Sequence, residues 1–168
     1  TLTWPSTTGQ LYYILVHGNR PHDIGDFRLT MQQLETEPNN NCEMAIGPLP
    51  IDGTLVTGST VQSTPDPDLK ALCAGSNFSP GVWFTVEGTG NQLAVSTCAP
   101  ETNFDTRVAI LKLPTDSTTC TDDDSVSFEC VAIHDDDLDC NENIQASTAV
   151  FNSTRGQLYY ILVHGALE

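Results

Sequence analysis

Apolar residues along this chain follow the spacing of β-strands rather than that of helices. Short runs rich in Val, Ile, Leu and aromatic residues are bounded by Gly, Pro, Asn or Asp. No apolar pattern at i, i+3, i+4 and i+7 persists beyond about two helical turns. The predicted strands are residues 11–17, 26–34, 54–60, 82–87, 92–97, 106–113, 126–133, 147–151 and 158–164. Many short strands separated by turn signals predict an all-β antiparallel β-sandwich or jelly roll.

The strongest feature of the pattern is a ten-residue segment, GQLYYILVHG, that occurs twice, at residues 9–18 and 156–165. The likeness extends upstream, because residues 1–18 match residues 148–165 at 13 of 18 positions. The offset, 156 − 9 = 147 residues, has the length of a whole domain rather than of a solenoid repeat of ~20–50 residues. We therefore interpret the chain as a fragment of a tandem array of near-identical domains.

The repeat suggests a division of the chain. Residues 1–34 are predicted to be the C-terminal hairpin of a preceding repeat, which either stands apart or packs into the same sandwich. Residues 35–41, ETEPNNN, are polar, acidic and broken by proline, and they mark the boundary. Residues 35–165 are predicted to form one sandwich repeat. Residues 166–168 depart from the repeat, and we interpret the final Leu-Glu as a cloning-derived end.

One sandwich has a single place for GQLYYILVHG, yet the chain carries the segment twice. Two hypotheses follow. Either the N-terminal hairpin fills that place within the same chain, or one copy pairs with a neighbouring molecule and gives a strand-exchanged oligomer.

Charge narrows the class of partner. The chain has 22 acidic and six basic residues, a net charge of −16. Nucleic acids and anionic membrane surfaces attract basic proteins, so we expect neither as a partner. No run approaches the ~18 consecutive apolar residues of a membrane span, so membrane insertion is not expected either. Such acidity suits a cation-binding or highly solvated extracellular protein.

Six cysteines, none in a CxxC pair, indicate disulfides formed in an oxidising compartment rather than a zinc site. Strand direction brings Cys98 and Cys140 to the same end of the fold and predicts that they pair. Cys120 lies beyond the opposite end, outside the ~4.4–6.8 Å Cα range of a disulfide with Cys98. The other predicted bonds are Cys120–Cys130 and Cys42–Cys73. In the main alternative, Cys130 pairs with Cys140, and Cys98 pairs elsewhere.

Two sequons begin at Asn77 and Asn152 and are candidate glycosylation sites. Together with the disulfides, they lead us to expect a protein that is secreted or displayed on the cell surface.

Six motifs stand in an order that is similar to a known family. They are EPNNNCEMA, VWFTV, LAVSTC, NFDTRVAIL, DDDLDC, and the closing GQLYYILVHG…GDFRLTM. In this order they resemble the bacterial pre-peptidase C-terminal domain, which is related to the collagen-binding domains of clostridial collagenases. The resemblance implies a non-catalytic, jelly-roll-like sandwich that is appended to secreted enzymes or strung along surface proteins. It also implies calcium binding in some members and collagen or polysaccharide binding in others.

Calcium is the expected cofactor, and the first candidate site is the acidic segment formed by Asp135, Asp136, Asp137 and Asp139. Ca²⁺ prefers closely spaced carboxylate and carbonyl oxygens. Carboxylates so close together repel each other, and a divalent cation would turn that repulsion into binding. The spacing is not that of an EF-hand. The alternative interpretation is a solvated acidic turn.

A second candidate calcium site comprises Glu35, Glu37, Asn39 and Asn40. It resembles the Glu-x-Glu-x-Asn-Asp linker of the calcium-binding collagenase members, with Asn40 where that pattern has Asp. The aspartates that complete the family's site have no clear counterpart, because residues 59–80 diverge in length and composition. The alternative is an ordinary acidic linker.

Enzyme signatures are missing from the sequence: there is no GxSxG elbow, HExxH pair or P-loop. His17 and His164 occupy the same place in the repeat and are interpreted as structural. Six aromatic residues are candidates for a sugar platform or for the core. They are Trp4, Tyr12, Tyr13, Trp83, Tyr159 and Tyr160.

We therefore expect a non-catalytic extracellular repeat module of an adhesive or architectural protein, stabilised by calcium. Its expected partners are neighbouring repeats of the same chain, together with a polysaccharide or the extracellular matrix. The alternative function is a carbohydrate- or matrix-protein-binding module appended to a secreted enzyme such as a protease.

Overall fold

A computed structural model describes residues 2, 4, 6–65, 73, 79–114, 120, 128–140 and 143–166. The chain divides into two compact units, Thr1–Gln33 and Leu34–Glu168. The described secondary structure lies in the second unit and begins with a 3-10 helix, Cys42–Met44. The strands are β1 (Gly81–Glu87), β2 (Gln92–Ser96), β3 (Thr106–Lys112), β4 (Glu129–Asp135), β5 (Thr148–Asn152) and β6 (Leu158–Gly165). Among these described residues, no helix has the length and apolarity needed to span a membrane.

The strands form two antiparallel sheets, which confirms the predicted all-β class. The larger sheet has the order β1-β6-β3-β4, and the smaller consists of β2 and β5. The predicted strands at 82–87, 92–97, 106–113, 147–151 and 158–164 correspond to β1, β2, β3, β5 and β6. Residues 126 and 127 lie outside the described residues, and the rest of the strand predicted at 126–133 overlaps β4, Glu129–Asp135. A register shift between Ile110 and Leu111 interrupts its pairing with β3.

β6 is a nearly continuous apolar run because both faces of the larger sheet are covered. On one face, Ile161 and Tyr159 share a cluster with Ala149 and Phe151 of the smaller sheet. On the opposite face, Tyr160 belongs to a second cluster, which contains three half-cystines. That cluster comprises Cys42, Cys73, Trp83, Ala109, Leu111, Leu113, Cys120, Phe128, Tyr160 and Leu162. Because both faces of β6 are buried, alternating apolar and polar residues along this strand would have placed polar side chains in one of the two clusters.

The outer edge of β1 is capped by residues 39–49, which overlap the segment 35–41 at the start of the predicted sandwich repeat. Trp83 N donates to Asn39 O at 2.8 Å, and Thr85 N donates to Ile46 O at 2.9 Å. The Asn39 side chain is 4% exposed and donates from Nδ2 to Trp83 O at 2.8 Å. The segment thus satisfies edge groups of β1 that would otherwise be open to pairing.

Three predicted strands are wrong: residues 11–17, 26–34 and 54–60 are described and contain no strand. The first two were predicted as a hairpin, and a lone two-stranded hairpin is marginally stable in water. For residues 54–60, Thr and Val content was the only signal. β propensity of that kind becomes a strand only when a neighbouring strand is available for pairing.

All six cysteines form disulfides, and the predicted Cys98–Cys140 bond is confirmed, with a Cα–Cα distance of 5.7 Å. The other two predicted pairs are wrong, and the alternative Cys130–Cys140 bond does not form. The chain instead joins Cys42 to Cys120 and Cys73 to Cys130, with Cα–Cα distances of 6.0 and 5.3 Å. Cys42, Cys73 and Cys120 all cover the same face of the larger sheet. Cys42, Cys73 and Cys120 lie outside the strands, so strand direction does not specify their partners.

Candidate cation site at one end of the larger sheet

Antiparallel pairing of β3 and β4 brings three aspartates together at one end of the larger sheet. Asp105 immediately precedes β3, Asp135 ends β4, and Asp136 follows it. One carboxylate oxygen from each of the three residues lies within 4.8 Å of the others. In the described parts of the chain, this is the one such group of at least three acidic, histidine or cysteine side chains. Asp105 and Asp135 are half-buried, and Asp136 is exposed.

The bend in the chain after β4 depends on Asp136, whose φ is +46°. Aspartate tolerates this left-handed conformation better than most residues do. The bend lets two consecutive aspartates join Asp105 in one cluster, whereas consecutive residues of a regular strand project to opposite faces.

Arg107 already supplies one positive charge to the cluster. It lies directly opposite Asp135 in the β3–β4 register, and its Nε donates to Asp135 Oδ2 at 3.0 Å. Its Nη2 forms an ion pair with the same oxygen. The other oxygen, Asp135 Oδ1, is buried and makes no hydrogen bond to the described residues. The three carboxylates and one guanidinium together carry a formal charge of −3 + 1 = −2.

His164 lies next to Arg107 on β6 and is fully buried. Its Nδ1 donates to the carbonyl oxygen of Gly165 at 2.9 Å, since a carbonyl oxygen can only accept. Burial lowers the pKa of His164, and the positive charge of Arg107 lowers it further, whereas the Gly165 bond and Asp135 act in the opposite direction. Burial is the largest of these effects, so the pKa of His164 is lowered on balance, which favours a neutral imidazole.

The acidic segment predicted as a calcium loop is only partly brought together. Asp135 and Asp136 join the cluster. Asp137 shapes the turn instead, because Asp139 N donates to its Oδ1 at 3.1 Å. A hydrogen bond with Thr148 is the largest of the causes that lower the pKa of Asp137. Asp139 is exposed and lies outside the cluster.

Asp105 is the site residue that sequence reasoning missed. It stands just before a strand that was predicted correctly, and the next strand along the chain ends in the acidic segment. Adjacent antiparallel strands bring the start of one beside the end of the other. A prediction that paired these two strands would have placed Asp105 next to Asp135.

In the second predicted calcium set, Asn39 and Asn40 form hydrogen bonds within the protein. Asn40 Oδ1 accepts a hydrogen bond from Thr64 N at 2.6 Å, and its Nδ2 donates to Thr64 Oγ1 at 2.9 Å. Asn39 is bound to β1, as described above. Glu35 and Glu37 belong to no group of three acidic, histidine or cysteine ligands among the described residues.

The aromatic candidates for a sugar platform differ in their exposure to solvent. Trp83, Tyr159 and Tyr160 are buried, whereas Trp4, Tyr12 and Tyr13 are exposed. Asn152 is exposed at the end of β5. Asn77 lies outside the described residues.

No family model, curated protein or solved structure matches this chain.

Proposed function

We propose that this chain is a non-catalytic β-sandwich module of a repetitive secreted or cell-surface protein, with an adhesive or architectural role. The observation that carries the proposal is the near-identical segment at an offset of 147 residues, the length of one domain. The three disulfides and the net charge of −16 support an extracellular setting. The order of motifs supports a relation to the pre-peptidase C-terminal domains, and neighbouring repeats are the nearest partners.

Calcium is the proposed cofactor, held by Asp105, Asp135 and Asp136. The site consists of hard oxygen ligands, which Ca²⁺ prefers. Its formal charge of −2, after Arg107 is counted, matches a divalent cation. Asp135 Oδ1 adds a buried oxygen with no hydrogen bond to the described residues. Binding would tie the start of β3 to the end of β4 and stiffen that end of the larger sheet.

Thermal unfolding in EDTA and in millimolar Ca²⁺ tests the calcium site. A cation that binds only the folded state adds about 2.7 kcal/mol to stability at ~100 Kd, so the melting temperature should rise in Ca²⁺. Asp136→Asn should abolish that rise. Asp139→Asn is the matched control, because it removes a carboxylate of the same segment that lies outside the cluster. Melting curves of the unaltered chain that coincide in EDTA and Ca²⁺ would disprove the calcium proposal. The proposal of a repeat module, which rests on the duplicated segment, would be unaffected.

A carbohydrate- or matrix-binding module appended to a secreted enzyme, such as a protease, is the second candidate function. It is favoured by Tyr13, which is 90% exposed, and by the exposed Trp4 and Tyr12. Exposed aromatic rings are suited to sugar contacts. We rank this function second because Tyr159 and Tyr160, the counterparts of Tyr12 and Tyr13 in the other copy, are buried. A glycan and matrix-protein array separates the two functions, since saturable binding that Tyr13→Ala abolishes would favour the second.

A further inference from the structure

The two copies of GQLYYILVHG share the same opening turn and several local contacts, although only one of them is a strand. The glycine that opens each copy has a positive φ, +80° at Gly9 and +77° at Gly156. Gln10 N donates to Thr7 O at 3.1 Å, and Gln157 N donates to Thr154 O at the same distance. The turn that leads into each copy is therefore the same.

Side-chain contacts repeat as well. The hydroxyl of Tyr12 accepts a hydrogen bond from Thr7 N at 2.9 Å, and the hydroxyl of Tyr159 accepts one from Thr154 N at 2.9 Å. In each copy the histidine before the final glycine donates from Nδ1 to that glycine's carbonyl oxygen, at 2.7 Å in the first copy and 2.9 Å in the second.

One position upstream of the copies has a different aromatic residue in each place, and both residues contact the equivalent tyrosine. Trp4 contacts Tyr12 with ring centroids 6.3 Å apart, and Phe151 contacts Tyr159 with centroids 4.9 Å apart. Trp4 and Phe151 are separated by the same offset, 151 − 4 = 147 residues. Both pairs are tilted, with interplanar angles of 51° and 58°. The turn and the side-chain contacts around β6 are thus also present around the first copy.

The environments of the two copies are opposite. β6 pairs with β1 on one side and with β3 on the other, and Ile161 at its centre is fully buried. The first copy has no strand assignment, and its large apolar side chains are exposed. The exposed fractions are Leu11 69%, Tyr12 40%, Tyr13 90%, Ile14 45%, Leu15 83% and Val16 46%. Exposed apolar surface of this kind favours association.

We propose that residues 11–18 act as a donor strand that fills the β6 position, between β1 and β3, of a second copy of this chain. Identity of sequence fixes the register. Ile14 would lie opposite Phe84 and Ile110 of the acceptor, as Ile161 does in the described fold. Every side chain that β6 contributes to the two cores would be replaced by the same side chain.

The acceptor is a second copy because the match is one of identity and not merely of apolar character. In each described chain the β6 position is already filled by that chain's own residues, Leu158–Gly165. The first copy is therefore left over in such a chain, and it can enter a second molecule whose own β6 is displaced or unusable. The proposal concerns assembly and goes beyond the proposed function, since it requires neither calcium nor secretion.

Co-refolding of full-length chains under oxidising conditions tests this proposal. The acceptor is Ile14→Asp/Ile161→Asp, in which a buried carboxylate disables β6 and the spare copy cannot replace it. The donor is the unaltered chain, whose first copy is free. The matched control donor is Ile14→Asp, which keeps its own fold but loses a usable donor strand. A milder acceptor, Ile14→Ala/Ile161→Ala, serves if the Asp acceptor precipitates.

The expected result is a 1:1 complex of donor and acceptor with twice the 18.2 kDa mass of one chain. The acceptor should regain cooperative unfolding in that complex. The control donor should give neither the complex nor the recovery. The proposal is overturned if the unaltered chain rescues neither acceptor, or if the control donor rescues as well as the unaltered chain does.

Discussion

Residues 11–18 and 158–165 have the same eight letters, and the chain gives them different structures. The second set is β6, paired on both sides and buried on both faces. The first set is exposed and carries no strand. Whatever differs between them cannot come from intrinsic β propensity, because that is the same in both. It comes from β1 and β3, which are beside one copy and pair with it.

What the two copies share is equally informative. The turn at Gly9 and Gly156, the tyrosine hydroxyl contact and the histidine contact form in both places. These contacts join residues at most five positions apart, so the local sequence is enough to form them. Local chemistry forms the turn and these contacts, and long-range pairing decides whether the segment becomes a strand.

Truncating the same isoleucine in each copy is the change with the largest expected effect. Ile161→Ala removes buried methyl groups that contact both neighbouring strands and the smaller sheet, and it should lower the free energy of unfolding by about 2–5 kcal/mol. Ile14→Ala is the matched control at an exposed position and should change it by no more than ~0.5 kcal/mol. Urea unfolding in dilute protein, where exchange between chains is not populated, measures both. Equal losses in the two variants would mean that both copies are buried.

Much of the larger sheet was predictable because its strands are apolar runs bounded by turn residues, as at Gly81–Glu87 and Thr106–Lys112. The first copy was predicted as a strand on the same signal and is not one. Sequence reports the propensity of a segment, whereas only the fold reports which neighbour is free to pair with it.

The candidate site shows the same limit. Asp135 and Asp136 were found because they are adjacent in sequence. Asp105 was missed because it reaches them only through the β3–β4 register. Cys98–Cys140 followed from strand direction, but the other disulfides involve Cys42, Cys73 and Cys120, which lie outside the strands.

A smaller effect should separate the two equivalent histidines. Burial lowers the pKa of His164 in the folded chain, so the unfolded chain binds more protons between the folded pKa and the ordinary value of ~6.5. The stability that this neutral imidazole contributes is fully present above pH ~6.5 and is lost as the pH falls through the folded pKa. Urea unfolding at a series of pH values measures the slope.

His164→Gln should flatten the pH dependence of stability below pH ~6.5 relative to the unaltered chain. His17→Gln is the matched control, because it removes a histidine of the same local sequence from an exposed position. If the two variants flatten the profile equally, the burial of His164 is not its cause.

Amide hydrogen exchange followed by NMR tests most directly the claim that one copy is a central strand and the other is unpaired. The two copies provide eight matched amide positions with the same side chains, at residues 11–18 and 158–165. The fold predicts that the amides of Leu158–Gly165 that bond to β1 and β3 exchange only with global unfolding. The amides of residues 11–18 should exchange at rates close to those of an unfolded chain. Equal protection in the two copies, or stronger protection in the first, would contradict this account of the fold.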